Sequence, residues 1–311
     1  MRRVTLFPEA STLQEVIPAL LSLGAVAGVL AGLLGVGGGV VIVPILIWIF
    51  GSQEGIPQDQ LMQFALGTSL ATICFTSVSS IRAHQKRGAI RWPIVLQMSP
   101  GVIAGTFLGS FVAARLSTGF LATFFAIFLI LVSIQMAFGA QPAPQRKIPG
   151  WIGVVFSGLV IGVLSALVGI GGGTLTVPFL VWCNTPLRNA IATSSAGGLF
   201  IALAGTVGYA WSGWGASIPL SSGYIYWPAV LGIVPTSLMF APLGAKLAHT
   251  IPVGTLKKIF SGFLLIAGTK ILLKTHPELN LLNAKALIEG VWDQVLPQIQ
   301  SLKARILSQS L

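Results

Sequence analysis

Ten apolar stretches separated by short polar gaps run along most of the chain. A helix needs about 20 residues to cross a bilayer. The stretches cover residues 16–34, 40–50, 61–81, 93–114, 119–138, 151–168, 174–183, 190–211, 227–248 and 256–273. Two of them, 40–50 and 174–183, are short and directly follow clusters of glycine. The pattern predicts an all-α polytopic membrane protein of about ten hydrophobic segments, including two glycine-broken helix pairs.

The chain contains an internal duplication. The segment 28–46, GVLAGLLGVGGGVVIVPIL, reappears at 162–180 as GVLSALVGIGGGTLTVPFL. Hydrophobic segments that are broken at the same place in two halves are typical of secondary transporters. We therefore divide the chain into a first transmembrane repeat (13–139), a cytoplasmic linker (140–150) and a second transmembrane repeat (151–274).

The loop charges predict that the two repeats are inverted. Lys and Arg in short loops mark the cytoplasmic side of a membrane protein. The loop 82–91 carries four basic residues, whereas its counterpart 212–226 carries no charge. Equivalent loops should then face opposite sides. Arg2 and Arg3 fall outside in this arrangement. An eight-helix parallel arrangement, which places them inside but puts the uncharged loop in the cytoplasm, is the alternative.

The composition excludes several kinds of chemistry. Apolar residues make up 54% of the chain and charged residues 8%, where a soluble domain carries about 25% charged residues. All seven acidic residues lie before position 60 or after position 277. Paired-carboxylate catalysis, a metal site and a carboxylate proton relay are therefore not expected. We predict no enzyme activity, no cofactor and no metal. The basic residues that give the net charge of +11 lie in short gaps, so no nucleic-acid partner is expected.

The two ends and the two cysteines add little chemistry. Pro8 and Glu9 stand where a signal peptide would carry its apolar core, so we expect no cleaved leader. Residues 279–311 carry apolar positions at spacings of three and four, which predicts an amphipathic helix on the membrane surface or, alternatively, a homo-oligomerisation element. Cys74 and Cys183 lie in apolar segments without metal-ligand or CxxC spacing. They are predicted to be small buried hydrophobes.

The glycine clusters are the first candidate site. They comprise Gly35, Gly37, Gly38 and Gly39 in one half and Gly169, Gly171, Gly172 and Gly173 in the other. Irregular backbone at membrane depth is tolerated only where it is buried in protein or lines a cavity. A helix that restarts there presents N–H groups and its positive end, which suit an anion. The alternative is close helix packing, which fits Gly24, Gly28, Gly32 and Gly35 and also Gly158 and Gly162 better than it fits GGG followed by Val-Pro.

Hydroxyl side chains are the second candidate. Thr68 and Ser69 in the first half match Thr193 and Ser194 in the second. Their hydroxyls are hydrogen-bond donors in spans that offer few polar groups. Such residues also bond to their own helix or to a neighbouring one, and that role is the alternative.

A glycine-rich stretch leading through GGG to Val-Pro in both halves, with a Thr-Ser after it, resembles the sulfite exporter TauE/SafE family over about residues 13–273. The resemblance implies transport of sulfur-containing or organic anions, such as sulfite, thiosulfate or sulfonates, across the bacterial plasma (inner) membrane. The family motif falls on Gly35, Gly37, Gly38, Gly39, Pro44, Gly169, Gly171, Gly172, Gly173 and Pro178.

We therefore predict a multi-pass secondary transporter for a small anion, with the site at the broken helices between the repeats. The predicted partners are the anion and the lipid bilayer. An anion channel of the same architecture is one alternative. A sulfur-relay protein that uses Cys74 or Cys183 is the other.

Overall fold

The computed structural model describes residues 18–29, 38–53, 55–138, 149–216, 218–250 and 253–277. Within them the chain forms ten helices and one two-stranded antiparallel hairpin. The elements are α1 (Pro18–Val29), α2 (Gly39–Gly51), α3 (Leu61–Gln85), α4 (Trp92–Arg115), α5 (Thr118–Ala137), α6 (Trp151–Val168), α7 (Gly173–Trp182), α8 (Leu187–Ser212), β1 (Ser221–Ser222), β2 (Ile225–Tyr226), α9 (Trp227–Thr250) and α10 (Val253–Thr275).

Five of these helices, α3, α4, α5, α6 and α8, are long and apolar enough to cross a membrane. α2 and α7 are the two short helices predicted after the glycine clusters, and they begin within one residue of the predicted positions. The prediction of an all-α polytopic membrane protein is confirmed.

The chain divides into two compact units, and each contains helices from both halves. The first unit is Met1–Leu121 with Gln141–Leu247, and the second is Ala122–Ala140 with Ala248–Leu311. In the second unit α5 pairs with α10, where Ser133 donates a buried 2.7 Å hydrogen bond to the Ser261 carbonyl. The units follow this helix pairing rather than the division into repeats.

Equivalent helices of the two halves run antiparallel. In the first unit, Gly67 near the start of α3 lies against Tyr209 near the end of α8. At the other end, Asn189 at the start of α8 donates a 2.9 Å hydrogen bond to the carbonyl of Ala89, which follows α3. In the second unit, Thr123 at the start of α5 bonds at 2.9 Å to His276, which follows α10. Antiparallel equivalents are what inverted repeats require.

Close helix crossings account for four of the glycines. Gly24 and Gly28 of α1 lie against the main chain of α9. Gly158 and Gly162 of α6 lie in the same way against the main chain of α4, where a Cβ would come within 2.6 Å or less of a carbonyl oxygen. The packing interpretation of these four residues is confirmed, and each of the two equivalent crossings joins a helix of one half to a helix of the other. Gly32 and Gly35 lie outside the described residues.

The antiparallel helices predict opposite sides for two loops. Cysteines introduced as Lys86→Cys and Ser222→Cys, in a protein lacking Cys74 and Cys183, should react with an impermeant thiol reagent from opposite faces of the membrane. Both positions are exposed. Labelling of both from one face would contradict the inverted arrangement and favour the parallel one.

The acidic residue Asp59 helps to assign the outer face. It precedes α3, at the end where the uncharged loop 212–226 contacts that helix. Burial raises the pKa of Tyr224 in this loop, and the Asp59 carboxylate raises it further. At this end of α4 lies the basic residue Arg115, whereas the loop 82–91 at the other end carries four basic residues. The positive-inside rule therefore predicts that the loop 82–91 faces the cytoplasm, and the labelling experiment tests this.

Candidate functional site

The break in the second half has a defined geometry. α6 ends at Gly169, a left-handed residue with φ 68°. The N–H groups of Gly169 and Ile170 bond back to the Ala166 and Ser165 carbonyls at 3.3 and 3.1 Å. This is a Schellman motif, which closes the helix and frees the chain to turn. Gly172, with φ 75°, then precedes α7.

The residue before α2 has the same backbone conformation as the residue before α7. Gly38 precedes α2 with φ 75° and ψ −18°, and Gly172 precedes α7 with φ 75° and ψ −9°. A residue with a Cβ costs about 1–2 kcal/mol in this left-handed region, so glycine is required at both places. The duplicated sequence therefore produces a duplicated turn. Gly35 and Gly37 lie outside the described residues.

The two breaks contact each other. A Cβ on Gly39, the first residue of α2, would lie 2.8 Å from the Gly169 carbonyl oxygen and 3.1 Å from the Cα of Ile170. The side chain of Ile73 in α3 packs against Gly39 and also against Gly171. The structure thus brings the candidate glycines of both halves together at one place beside α3.

The first turns of α2 and α7 are uncapped. Neither Gly38 nor Gly172 offers a side-chain cap, and neither helix has an acidic residue in its first turn. The first N–H groups of a helix have no partner within the helix. Gly39 and Gly173 therefore begin two helices whose positive ends are balanced neither by a cap from the preceding glycine nor by an acidic residue in the first turn. Pro44 and Pro178 lie five residues further along each helix and remove one internal hydrogen bond from each.

The two candidate threonines have a structural partner each. The Thr68 hydroxyl accepts a 3.0 Å hydrogen bond from the N–H of Tyr226, and the Thr193 hydroxyl accepts a 3.1 Å bond from the N–H of Arg91. Tyr226 and Arg91 each precede the Trp-Pro pair that starts α9 and α4. Each half therefore anchors the start of a helix in the other half. Sequence reasoning identified these hydroxyls but not this role.

The two candidate serines differ from one another. Ser69 donates a buried 2.8 Å hydrogen bond to the Gly169 carbonyl, so it holds the break of the opposite half. Ser194, at the equivalent position of α8, is 1% exposed, and its hydroxyl has no hydrogen-bond partner among the described residues. A buried hydroxyl without a partner costs about 1–3 kcal/mol, so a bound polar group beside it would be stabilised.

A small cavity lies between α4, α7 and α8, and sequence reasoning missed two residues that form it. Thr176 and Gly197 line it together with Thr193, Met98, Ser99 and Ile201. The signal was in the repeat: Thr176 stands where the first half has Ile42, and Gly197 stands where it has Thr72.

Loss of the Thr68 hydroxyl should destabilise the protein. In a Thr68→Val variant the Tyr226 N–H loses its acceptor while it stays buried, so we expect a loss of about 1–3 kcal/mol in the free energy of unfolding. The check is the thermal unfolding midpoint of detergent-purified protein. Thr68→Ser keeps the hydroxyl and is the control, and equal midpoints for the two variants would contradict the anchoring role.

These features define a polytopic membrane protein with duplicated halves that meet at glycine-broken helices, an architecture found in membrane transporters. The chain belongs to the sulfite exporter TauE/SafE family, whose model matches residues 20–271. It is 38% identical over 259 residues to a "Probable membrane transporter protein" of Haemophilus influenzae, an alignment that covers 82% of this chain and 97% of the relative.

Two further relatives carry the same kind of name. A protein of Methanocaldococcus jannaschii is 32% identical over 272 residues, covering 83% of this chain and 96% of the relative. YunE of Bacillus subtilis is 29% identical over 274 residues, an alignment that covers 81% of this chain and 96% of the relative. No solved structure gives a significant match to the chain. The predictions of a multi-pass membrane protein and of a transporter family are confirmed.

The family and its relatives are named as transporters, which agrees with the prediction that the protein is not an enzyme. Cys183 is buried, as predicted. The prediction is wrong for Cys74, which is only partly buried and whose thiol lies 3.4 Å from the Thr206 hydroxyl. The amphipathic helix predicted at 279–311, with its role in oligomerisation, lies outside the described residues.

Proposed function

We propose that the protein is a secondary transporter that moves a small sulfur-containing or organic anion, of the sulfite, thiosulfate or sulfonate class, across the bacterial plasma membrane. The observation that carries the proposal is the pair of uncapped helix starts at Gly39 and Gly173, which arise from breaks that contact each other. Two positive helix ends close together favour an anion. The printed description of the family, a sulfite exporter, supports the same class of substrate.

The binding site of this proposal combines main-chain and hydroxyl groups. The glycines from Gly35 to Gly39 and from Gly169 to Gly173 let an anion approach the main chain closely. Ser69 bonds the Gly169 carbonyl at one of the breaks, and Ser194, at the equivalent position of α8, has a hydroxyl that no described residue bonds. Thr68 and Thr193 precede these two serines and complete the proposed set of hydroxyls. Rocking of the two halves against this fixed site would expose it to each side in turn.

Transport should not require sodium. Between Asp59 and Glu278 the chain has no carboxylate side chain, so neither a carboxylate cation site nor a buried proton relay can form there. An anion that leaves a cell with a negative interior gains about 2.3 kcal/mol per charge per 100 mV from the membrane potential. Anion flux in proteoliposomes should therefore be equal in sodium and in choline buffers. A strict sodium requirement would refute this energetic account.

The proposal as a whole is tested by a binding screen. Purified protein in detergent is titrated calorimetrically with sulfite, thiosulfate, methanesulfonate and acetate. We expect saturable binding of at least one of the three sulfur oxyanions, and weaker or no binding of acetate. Absence of binding for all four anions by folded protein would overturn the proposed substrate class.

A further inference from the structure

The two halves differ at the place where the small cavity lies. The cavity is bounded by α7 and α8 of the second half and by α4 of the first half. A Cβ added at Gly197 would meet no atom within 4 Å, so this glycine opens the space instead of packing against a neighbour. In the first half the equivalent position is Thr72, which is fully buried and bonds the Thr68 carbonyl at 2.9 Å. The equivalent space is therefore filled.

The first turns of α2 and α7 also differ, since α2 is apolar where α7 carries hydroxyl groups. α2 begins with Val40 and Ile42 at positions where α7 has Thr174 and Thr176. Val40 and Ile42 are each 1% exposed and pack into the apolar core. Thr176 is 4% exposed and lines the cavity, and no other described residue bonds its hydroxyl. The uncapped helix start of the second half thus carries hydroxyl groups that the first half lacks.

We propose that the transported anion binds at only one of the two places that the repeat makes equivalent. This place is the cavity between α4, α7 and α8, where the Thr176 and Thr193 hydroxyls donate hydrogen bonds to the anion. The proposal rests on the proposed function and locates the anion within it. Thr193 accepts the N–H of Arg91, which leaves its own proton free to donate. No charged side chain lines the cavity, so the anion is held by donated hydrogen bonds and by the positive end of α7.

The dimensions of the cavity restrict its ligand to a compact group. The open space has room for about one water molecule. Met98 and Ile201 border it, and their flexible side chains must move to admit an anion. A site with neutral donors also disfavours high charge, because a buried charge without a counter-charge is costly. A singly charged SO₃ group, as in hydrogensulfite or a short sulfonate, fits these limits.

The test compares binding of sulfite and of methanesulfonate to full-length variants. Thr176→Val removes a hydroxyl without a change of shape, and we expect about 10- to 100-fold weaker binding from the loss of one hydrogen bond to a charged ligand. Thr176→Ser keeps the hydroxyl and should stay close to wild type. Gly197→Thr installs the residue of the first half and should weaken binding at least as much as Thr176→Val. Thr72→Val, in the filled half, should bind as wild type does.

The outcomes separate this inference from the proposed function. If Thr176→Val and Gly197→Thr both bind the anion with wild-type affinity, the transporter proposal still stands but the proposed site in the cavity is overturned. An equal loss in Thr72→Val would show that both halves bind, and would also overturn it. Absence of binding by wild type would overturn both proposals. Because nothing lies within 4 Å of Gly197, Gly197→Thr should keep the fold and decides the matter if Thr176→Val does not fold.

Discussion

Replacing Gly172 by valine should weaken anion binding about 100-fold and reduce transport to the background level while the helices remain folded. Gly172 has φ 75°, where a side chain costs about 1–2 kcal/mol. A Cβ there would also press on the end of the Ile201 side chain and lie 3.3 Å from the Thr176 hydroxyl. The loss of two hydrogen bonds to an anion, at about 1.5 kcal/mol each, corresponds to roughly 100-fold weaker binding. Sulfite titration of the purified variant measures the loss.

A matched control separates this effect from general damage. Gly150, just before α6, has no atom within 4 Å of an added Cβ and an ordinary φ of −55°. Gly150→Val should therefore bind and unfold as wild type does. Wild-type transport by a folded Gly172→Val protein would show that the glycines of the break serve packing alone.

Replacing either of two neighbouring glycines of α8 by alanine should have different effects on the thermal unfolding midpoint. A Cβ on Gly198 would lie 2.5 Å from the carbonyl oxygen of Gly171, a main-chain atom that can move only if the break moves. Overpacking of this kind costs about 1–3 kcal/mol, so Gly198→Ala should lower the thermal unfolding midpoint clearly. Gly197 meets no neighbour, and Gly197→Ala should leave the midpoint unchanged or raise it, because alanine is the better helix former.

The two variants are a matched pair because both replace glycine by alanine in α8, at adjacent positions. The check is a thermal unfolding scan of both variants in one detergent. Equal midpoints for Gly197→Ala and Gly198→Ala would contradict the close approach of α8 to the break.

The features that depend on local sequence could be predicted. The predicted segments 40–50 and 174–183 correspond to α2 and α7 because each starts after a glycine that adopts a conformation unfavourable to other residues. The small-residue crossings at Gly24 and Gly158 follow from helical spacing, since residues four apart share one face of a helix.

The features that depend on long-range contacts could not be predicted. The partner of Thr68 lies 158 residues away along the chain, and the partner of Ser69 lies 100 residues away. A hydroxyl in a membrane helix can bond to many groups, and spacing does not select among them. The cavity beside Gly197 also needs the packing of three helices before it exists. In the sequence, the differences between the repeats at Gly197 and Thr72 and at Thr176 and Ile42 are the signals for it.

Counterflow in proteoliposomes tests most directly whether this protein carries a small sulfur-containing anion. Vesicles preloaded with unlabelled sulfite are diluted into a trace of ³⁵S-sulfite. A carrier with a site at the breaks should accumulate label transiently, with a saturable rate, and the Gly172→Val protein should give no more uptake than protein-free vesicles. Uptake at the protein-free level by wild type, repeated with thiosulfate and methanesulfonate, would contradict the account. Flux that rises linearly with concentration, without counterflow, would instead identify an anion channel.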